Sequence, residues 1–162
     1  MEMNNETVKN EVHPESAAGT AEENSSAEMY LTFVSNQLTF GVPTDYVVEI
    51  ITNHSIRELP LVPDYVRGII NLRGQIIPII DIRLKLNKPI AEFSSTTCVI
   101  ILDIGADRIG ICVDSVSNVR PIDAKQARQV PLESRQKIAP SMVSVGDGKV
   151  VLMLDCAALV ES

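Results

Sequence analysis

Gly68-Ile69-Ile70-Asn71-Leu72-Arg73-Gly74-Gln75-Ile76-Ile77-Pro78-Ile79-Ile80-Asp81-Ile82-Arg83 is the stretch on which the reading of this chain turns. Two aliphatic runs flank a short polar turn, the pattern of a β-hairpin with Gly74 supplying the positive φ of a tight turn. The hairpin carries no nucleophile, no metal-ligand cluster and no phosphate cradle. Arg73 at its tip has two readings. It is either a polar residue that a turn tolerates, or a planar multi-donor anchor at a protein interface, where arginine is enriched; turn chemistry alone leaves both open.

Working outward, the rest of the chain repeats the theme. Of its 162 residues 45% are hydrophobic and none is Trp, so the core must be aliphatic, and the β-branched excess points to an all-β protein. Apolar runs at 30–34 and 38–42, 98–104 and 108–113, and 142–145 and 149–154 flank short polar turns, of which Gly146-Asp147-Gly148 is the most explicit. Short helices are expected over 63–67, 81–86, 123–128 and 155–160, several with an Asp at the N-cap position.

A weak internal repeat is visible. Phe40-Gly41-Val42 through Val47-Val48-Glu49-Ile50 parallels Ile109-Gly110-Ile111 through Val116-Ser117-Asn118-Val119, and Ile76 to Asp81 parallels Val150 to Asp155. Two small units follow, about 30–90 and about 91–160, with exchange of strands between them left open. Units so small must pack on each other, and closing into barrels removes their sheet edges. Pro78 is expected on an edge or at a bulge. Gly41 and Gly110, equivalent and mid-strand, mark either a sharp barrel bend or the close approach of another backbone.

The net charge of −7 is unevenly placed: residues 1–28 hold seven Glu against Lys9, whereas the remainder has 14 acidic and 13 basic side chains. Residues 1–28 are poor in aliphatics and read as a disordered acidic tail, with 29–162 as the folded domain. The near-neutral folded part gives no electrostatic footprint for nucleic acid. No apolar run reaches the ~18 residues of a membrane helix, and no secretory signal is read, so the expectation is a cytoplasmic protein without direct membrane insertion.

Cys98, Cys112 and Cys156 are odd in number and lie in apolar runs, where Cys acts as a small hydrophobe. His54 stands alone in a polar loop, and Asp45 and Glu49 are read as a turn cap and a surface residue. The expectation is therefore no catalytic residue, no metal and no cofactor. Two alternatives remain: a small-ligand sensor using an apolar groove between the barrels, and an enzyme whose site is assembled in space around His54.

The stretch Leu61 to Arg83, with Gly, two aliphatics, Asn-Leu-Arg-Gly, a proline-containing strand and Asp-aliphatic-Arg, resembles the CheW family of bacterial chemotaxis adaptors. The flanking matches at Phe40-Gly41-Val42, Val47-Val48-Glu49-Ile50 and Ile109 to Val116 extend the resemblance over residues 30–160. It implies two five-stranded, SH3-like β-barrel subdomains packed on a shared core. It also implies a non-catalytic adaptor that couples the regulatory domain of the histidine kinase CheA to the cytoplasmic tip of methyl-accepting chemotaxis proteins, in membrane-associated receptor arrays. The positions it associates with kinase or receptor contact are Val47, Glu49, Ile50, Gly68, Arg73, Gly74, Val116 and Val119.

Overall fold

The computed structural model describes residues 27–52, 55–105 and 107–161. Of the acidic tail expected over residues 1–28, residues 1–26 lie outside the described residues, as does the reading of His54, whereas Glu28 opens the first strand by pairing with Ile122. The described residues form eleven strands: β1 (Glu28–Ser35), β2 (Leu38–Pro43), β3 (Val47–Ile51), β4 (Val66–Leu72), β5 (Gln75–Asp81), β6 (Cys98–Asp103), β7 (Arg108–Val113), β8 (Ser115–Ile122), β9 (Arg128–Gln129), β10 (Ser141–Gly146) and β11 (Lys149–Met153). One α-helical turn, α1 (Ile82–Lys85), follows β5, and a 3-10 segment (Cys156–Val160) follows β11. The fold is all-β with two subdomains.

The first sheet has the order β8-β1-β2-β11-β10-β9 and the second β3-β6-β7-β5-β4. Leaving aside the two-residue β9, each is five-stranded, and the two orders correspond strand for strand under the sequence repeat: β1 to β6, β2 to β7, β3 to β8, β4 to β10 and β5 to β11. Pairing agrees with this, since Val47 faces Leu102 and Ile50 faces Ile100, as Val116 faces Phe33 and Val119 faces Leu31. Even the irregularities match, with a bulge at Val48 in β3 and at the equivalent Ser117 in β8.

The repeat does not, however, divide the molecule near residue 90. The β1–β2 hairpin belongs to the sheet made by β8 to β11, and the β6–β7 hairpin to the sheet made by β3 to β5. Each unit lends its first hairpin to the other. Both lent hairpins are rich in hydrophobic residues, β6–β7 almost without a break, because both of their faces are buried over the middle of each strand. One face packs into a shared core of Leu31, Phe33, Phe40, Val42, Ile100, Leu102, Ile109 and Ile111, in which Phe33 and Phe40 stack with centroids 5.4 Å apart. The other face closes a private core: Ile70, Ile77, Ile79, Val99, Ile101 and Cys112 in the second sheet, and Tyr30, Ile122, Val143, Val151 and Met153 in the first.

Gly41 and Gly110 face those private cores. A Cβ at Gly110 would lie 2.6 Å from Ile79 Cδ1 and 2.8 Å from Val99 Cγ1; at Gly41 it would lie 2.9 Å from Val151 Cγ1. Neither glycine marks a backbone approach; each leaves room for the side chains of the opposite wall. Pro78 is a second correction. It lies in β5, an interior strand between β7 and β4. The parallel ladder to β7 starts only at Ile79, so at Pro78 the strand is still paired on one side alone and the missing N–H costs little there. The helix expected over 63–67 is instead a turn leading into β4, because Val66 pairs with Ile80 and the Tyr65 carbonyl accepts from the Asp81 amide. The other three expected helices are a turn or little more, and Asp81, Asp123 and Asp155 cap them through Arg83, Lys125 and Ala157 amides.

The three cysteines are free and buried. Burial pushes the thiols of Cys112 up to about 11 and of Cys156 up to about 12, so both stay protonated at neutral pH and pack as hydrophobes.

A candidate protein-docking surface

The β4–β5 turn is built by its two central residues. Arg73 has φ 54° and Gly74 φ 84°, the left-handed pair of a type I′ hairpin turn. The Asn71 side-chain oxygen accepts the Gly74 amide at 3.0 Å, which ties the turn to its own strand. From this tip the Arg73 guanidinium reaches across to β3 and donates twice to Glu49, at 2.7 and 3.2 Å. β3 and β4 are the two outermost strands of their sheet, so the ion pair closes the subdomain between its own edges. The Arg73 hydrogen bond holds the Glu49 carboxyl below the usual carboxylate range, and the pair stays ionised at neutral pH.

Beside Glu49 on the same strand, Val48 and Ile50 stand outward, with Ile50 41% exposed. Sequence reasoning did not single out Val48, nor the exposed Ile76 next to the tip. Neither had a signal in the chain: Ile76 stands in the unbroken aliphatic run of β5, and Val48 owes its exposure to the bulge, which has no local signature. Gly68 lies in β4 and is buried. Its missing side chain makes way for the Arg57 backbone, whose carbonyl oxygen would be 2.4 Å from a Cβ and which exchanges two hydrogen bonds of 2.8 Å with Ile69.

The remaining expected positions divide by the repeat. Val47 and its counterpart Val116 are half-buried against the shared core. Val119, the counterpart of Ile50, is 51% exposed on β8 in the other subdomain. The structure thus brings Glu49, Ile50, Arg73 and Gly74 together at one subdomain, sets Val119 on the equivalent edge of the other, and gives Val47, Val116 and Gly68 places in the framework beneath. Among the described residues no group of three or more His, Cys, Asp or Glu is arranged to hold a metal, and no helix is long and apolar enough to cross a membrane.

Comparison with known proteins adds the following. Residues 29–162 match the family model described as CheW-like domain. The chain is 35% identical over 102 residues to "Chemotaxis protein CheW" of Klebsiella aerogenes, an alignment covering 63% of this chain and 61% of that relative's length. It is 25% identical over 139 residues to "Chemotaxis protein CheW" of Bacillus subtilis, covering 84% and 88%, and 26% identical over 103 residues to "Protein FrzA" of Myxococcus xanthus, covering 64% of each. Among solved structures, the scaffolding protein TtCheW from Thermoanaerobacter tengcongensis superposes with a TM-score of 0.76 at 27% identity, over 84% of this chain and 94% of that one.

Proposed function

This chain belongs to the CheW-like domain family, and from that premise we propose that it is a non-catalytic chemotaxis adaptor that couples the histidine kinase CheA to methyl-accepting chemoreceptors. It does so in the cytoplasm, recruited to receptor arrays at the membrane. One partner surface is the regulatory domain of the kinase and the other the cytoplasmic tip of the receptor. The observation that carries this reading is the placement of equivalent exposed aliphatic edges, Ile50 on β3 and Val119 on β8, on two subdomains locked to one core. Two outward surfaces at a fixed relative orientation are what a bridge between macromolecules needs. The Glu49–Arg73 pair supports it further, because it presents a rigid polar group beside Ile50, and a preorganised charged pair fixes register at an interface.

In this reading Glu49, Ile50, Arg73, Gly74 and Val119 touch partners, whereas Val47, Val116 and Gly68 shape the surfaces from below. A three-component reconstitution tests it. Kinase activity is expected to become receptor-dependent only when this protein is added. If kinase and receptor couple equally without it, or if it brings neither into a complex, the adaptor reading is wrong. Arg73→Ala is expected to leave the thermal transition within a few degrees of wild type while weakening at least one partner roughly 10-fold or more, as for a truncated interfacial arginine. Unchanged affinity for both partners would confine Arg73 to the turn.

A further inference from the structure

The repeat lets the interiors of the two barrels be compared position by position. Strand alternation turns Thr32 away from Leu31 and Phe33, which face the shared core, and into the barrel of the first sheet; on β8 the same side holds Asn118, Arg120 and Ile122. The matching position for Thr32 in the other barrel is Ile101, in the private core, and that for Arg120 is Ile51, which packs against it. One barrel thus carries two isoleucines where its sister carries a hydroxyl and a guanidinium.

The hydroxyl is engaged. It accepts the Asn118 amide at 3.2 Å and donates to Asn118, whose side-chain oxygen lies at 2.7 Å and main-chain carbonyl at 3.0 Å. This pair fastens β8 to β1 at the bulge. The guanidinium is poorly engaged. It donates to the Val145 carbonyl at 3.4 Å, long for a charged donor, and its Nε is buried without a partner. Beside it lies an open space of about 480 Å³, lined by Thr39, Ser117, Asn118, Arg120, Val145 and Lys149 among others, with no Asp or Glu in the lining. Val145, which Arg120 reaches, precedes Gly146, and Gly146 pairs with Lys149, so the second cation stands at the same end of the β10–β11 hairpin. Val145 and Val151 give the space an apolar wall. A cation at an inward position of a small barrel is costly unless an anion meets it, and this lining supplies none. Small-ligand sites run from about 300 to 1,000 Å³, and barrel mouths are a common place for them.

We propose that the mouth of this barrel binds a small dicarboxylate. One carboxylate takes the two-pronged hydrogen bond that a guanidinium favours, at Arg120. The second lies towards Lys149, and the short carbon chain between them rests on Val145 and Val151. Two separate cations beside an apolar wall suit two anionic groups on a carbon chain better than one compact ion. The Thr39 and Ser117 hydroxyls line the same space as further donors. The site lies in the barrel that holds neither Glu49 nor Arg73, so the inference stands or falls apart from the adaptor reading.

The experiment titrates the isotope-labelled full chain with glutarate, its neutral counterpart glutaramide, and inorganic phosphate. Each is taken to about 20 mM at constant ionic strength, which holds screening fixed. Glutarate is expected to give saturable shifts at Ser117, Asn118, Arg120, Val145 and Lys149 and at the Arg120 side-chain Nε–H, with glutaramide silent and phosphate weaker. Arg120→Ile installs the residue type of Ile51 in the other barrel. It is expected to weaken glutarate at least about 10-fold, as for loss of a charged hydrogen bond, with a melting temperature equal to or above that of wild type, since a binding group is commonly held at some expense of stability. Arg120→Lys keeps the charge without the planar fork and is expected to bind with intermediate affinity; should Arg120→Ile not fold, an Arg120→Lys affinity equal to wild type overturns the proposal. Shifts that grow without saturating, shifts centred on another face, an equal response to glutaramide, phosphate binding as tight as glutarate, or saturable shifts that persist in Arg120→Ile would each overturn it as well.

Discussion

At Gly68 a residue associated by resemblance with partner contact is held in place by the fold itself. The atoms a side chain would strike are the Arg57 carbonyl carbon and oxygen, at 2.9 and 2.4 Å. These are backbone atoms inside a two-way bridge to Ile69, and no rotamer change moves them out of the way. Gly68→Ala is therefore expected to destabilise by about 2–3 kcal/mol, the upper part of the ordinary range for single substitutions. Partner affinity should fall only as far as the folded population does. A thermal melt run beside a partner titration checks this; an unchanged melting temperature with binding lost would place Gly68 at the contact itself. The neighbouring turn was legible in the sequence because its signals are local: Arg73-Gly74 between aliphatic runs, and Asn71 three residues before the amide it accepts. Glu49 as the partner of Arg73 was not legible. The two are 24 residues apart, and only closure of the subdomain between its edges brings them together. The same holds for Arg57 and Gly68, whose contact has no pattern in the chain.

At the scale of elements, the junctions are held by aspartates whose titrations have opposite signs. Asp114, between β7 and β8, accepts from Arg83 Nε at 3.1 Å, from Arg83 Nη2 at 2.8 Å and from the Asn36 amide at 3.0 Å. These bonds, Arg83 foremost, hold its carboxyl below the usual range. Its contribution is thus fully present above the unfolded value, near pH 4, and is lost as pH falls through the folded one. Asp81 caps α1 and pairs with Arg67 at 2.9 Å, but burial outweighs these and raises its carboxyl above the usual range. Its contribution runs the other way: it is present below the unfolded value and is lost as pH rises through the folded one. Asp114→Asn should cost about 1–3 kcal/mol at pH 7, the range for a hydrogen-bonded charge. Between pH 3 and 5 the variant's stability should fall less on acidification than that of wild type, because it lacks the Asp114 contribution that wild type loses in that window, while Asp81 is common to both. Urea midpoints across that window read the slope directly; a slope identical to wild type would remove Asp114 from the account. The capping role of Asp81, Asp123 and Asp155 was visible in the sequence, since an N-cap acts within two or three residues. The shortness of the helices was not, because the strands that follow or precede them claim residues such as Val66 and Arg128 through pairing with distant partners.

For the whole molecule, the sequence repeat revealed two similar units but not the reciprocal exchange of their first hairpins. The reason is physical. β1–β2 and β6–β7 are buried on both faces over the middle of each strand, so their aliphatic runs lack the alternation that would assign one face to a private core and the other to the shared one. Exchange makes each half of the chain a necessary part of both sheets, and a prediction follows for the exposed connection between α1 and β6. A protease site inserted between Lys88 and Pro89 should allow complete cleavage without dissociation, because residues 1–88 supply β1 to β5 and residues 89–162 supply β6 to β11. Separating the fragments would expose Phe33, Phe40, Ile100, Leu102 and Ile111, all fully buried, at about 1.5–3 kcal/mol for each. That total, roughly 7–15 kcal/mol, is comparable to the whole stability of an ordinary domain, about 5–15 kcal/mol, so the fragments should elute as one particle of the uncut mass and part only in denaturant. Expressed singly, each fragment should lack the dispersed amide spectrum of a folded protein, since each would hold an open sheet without its centre. Two fragments that separate under native conditions and each retain a cooperative melt would show instead that every unit completes its own barrel, and that the lent hairpins are not what joins the two halves.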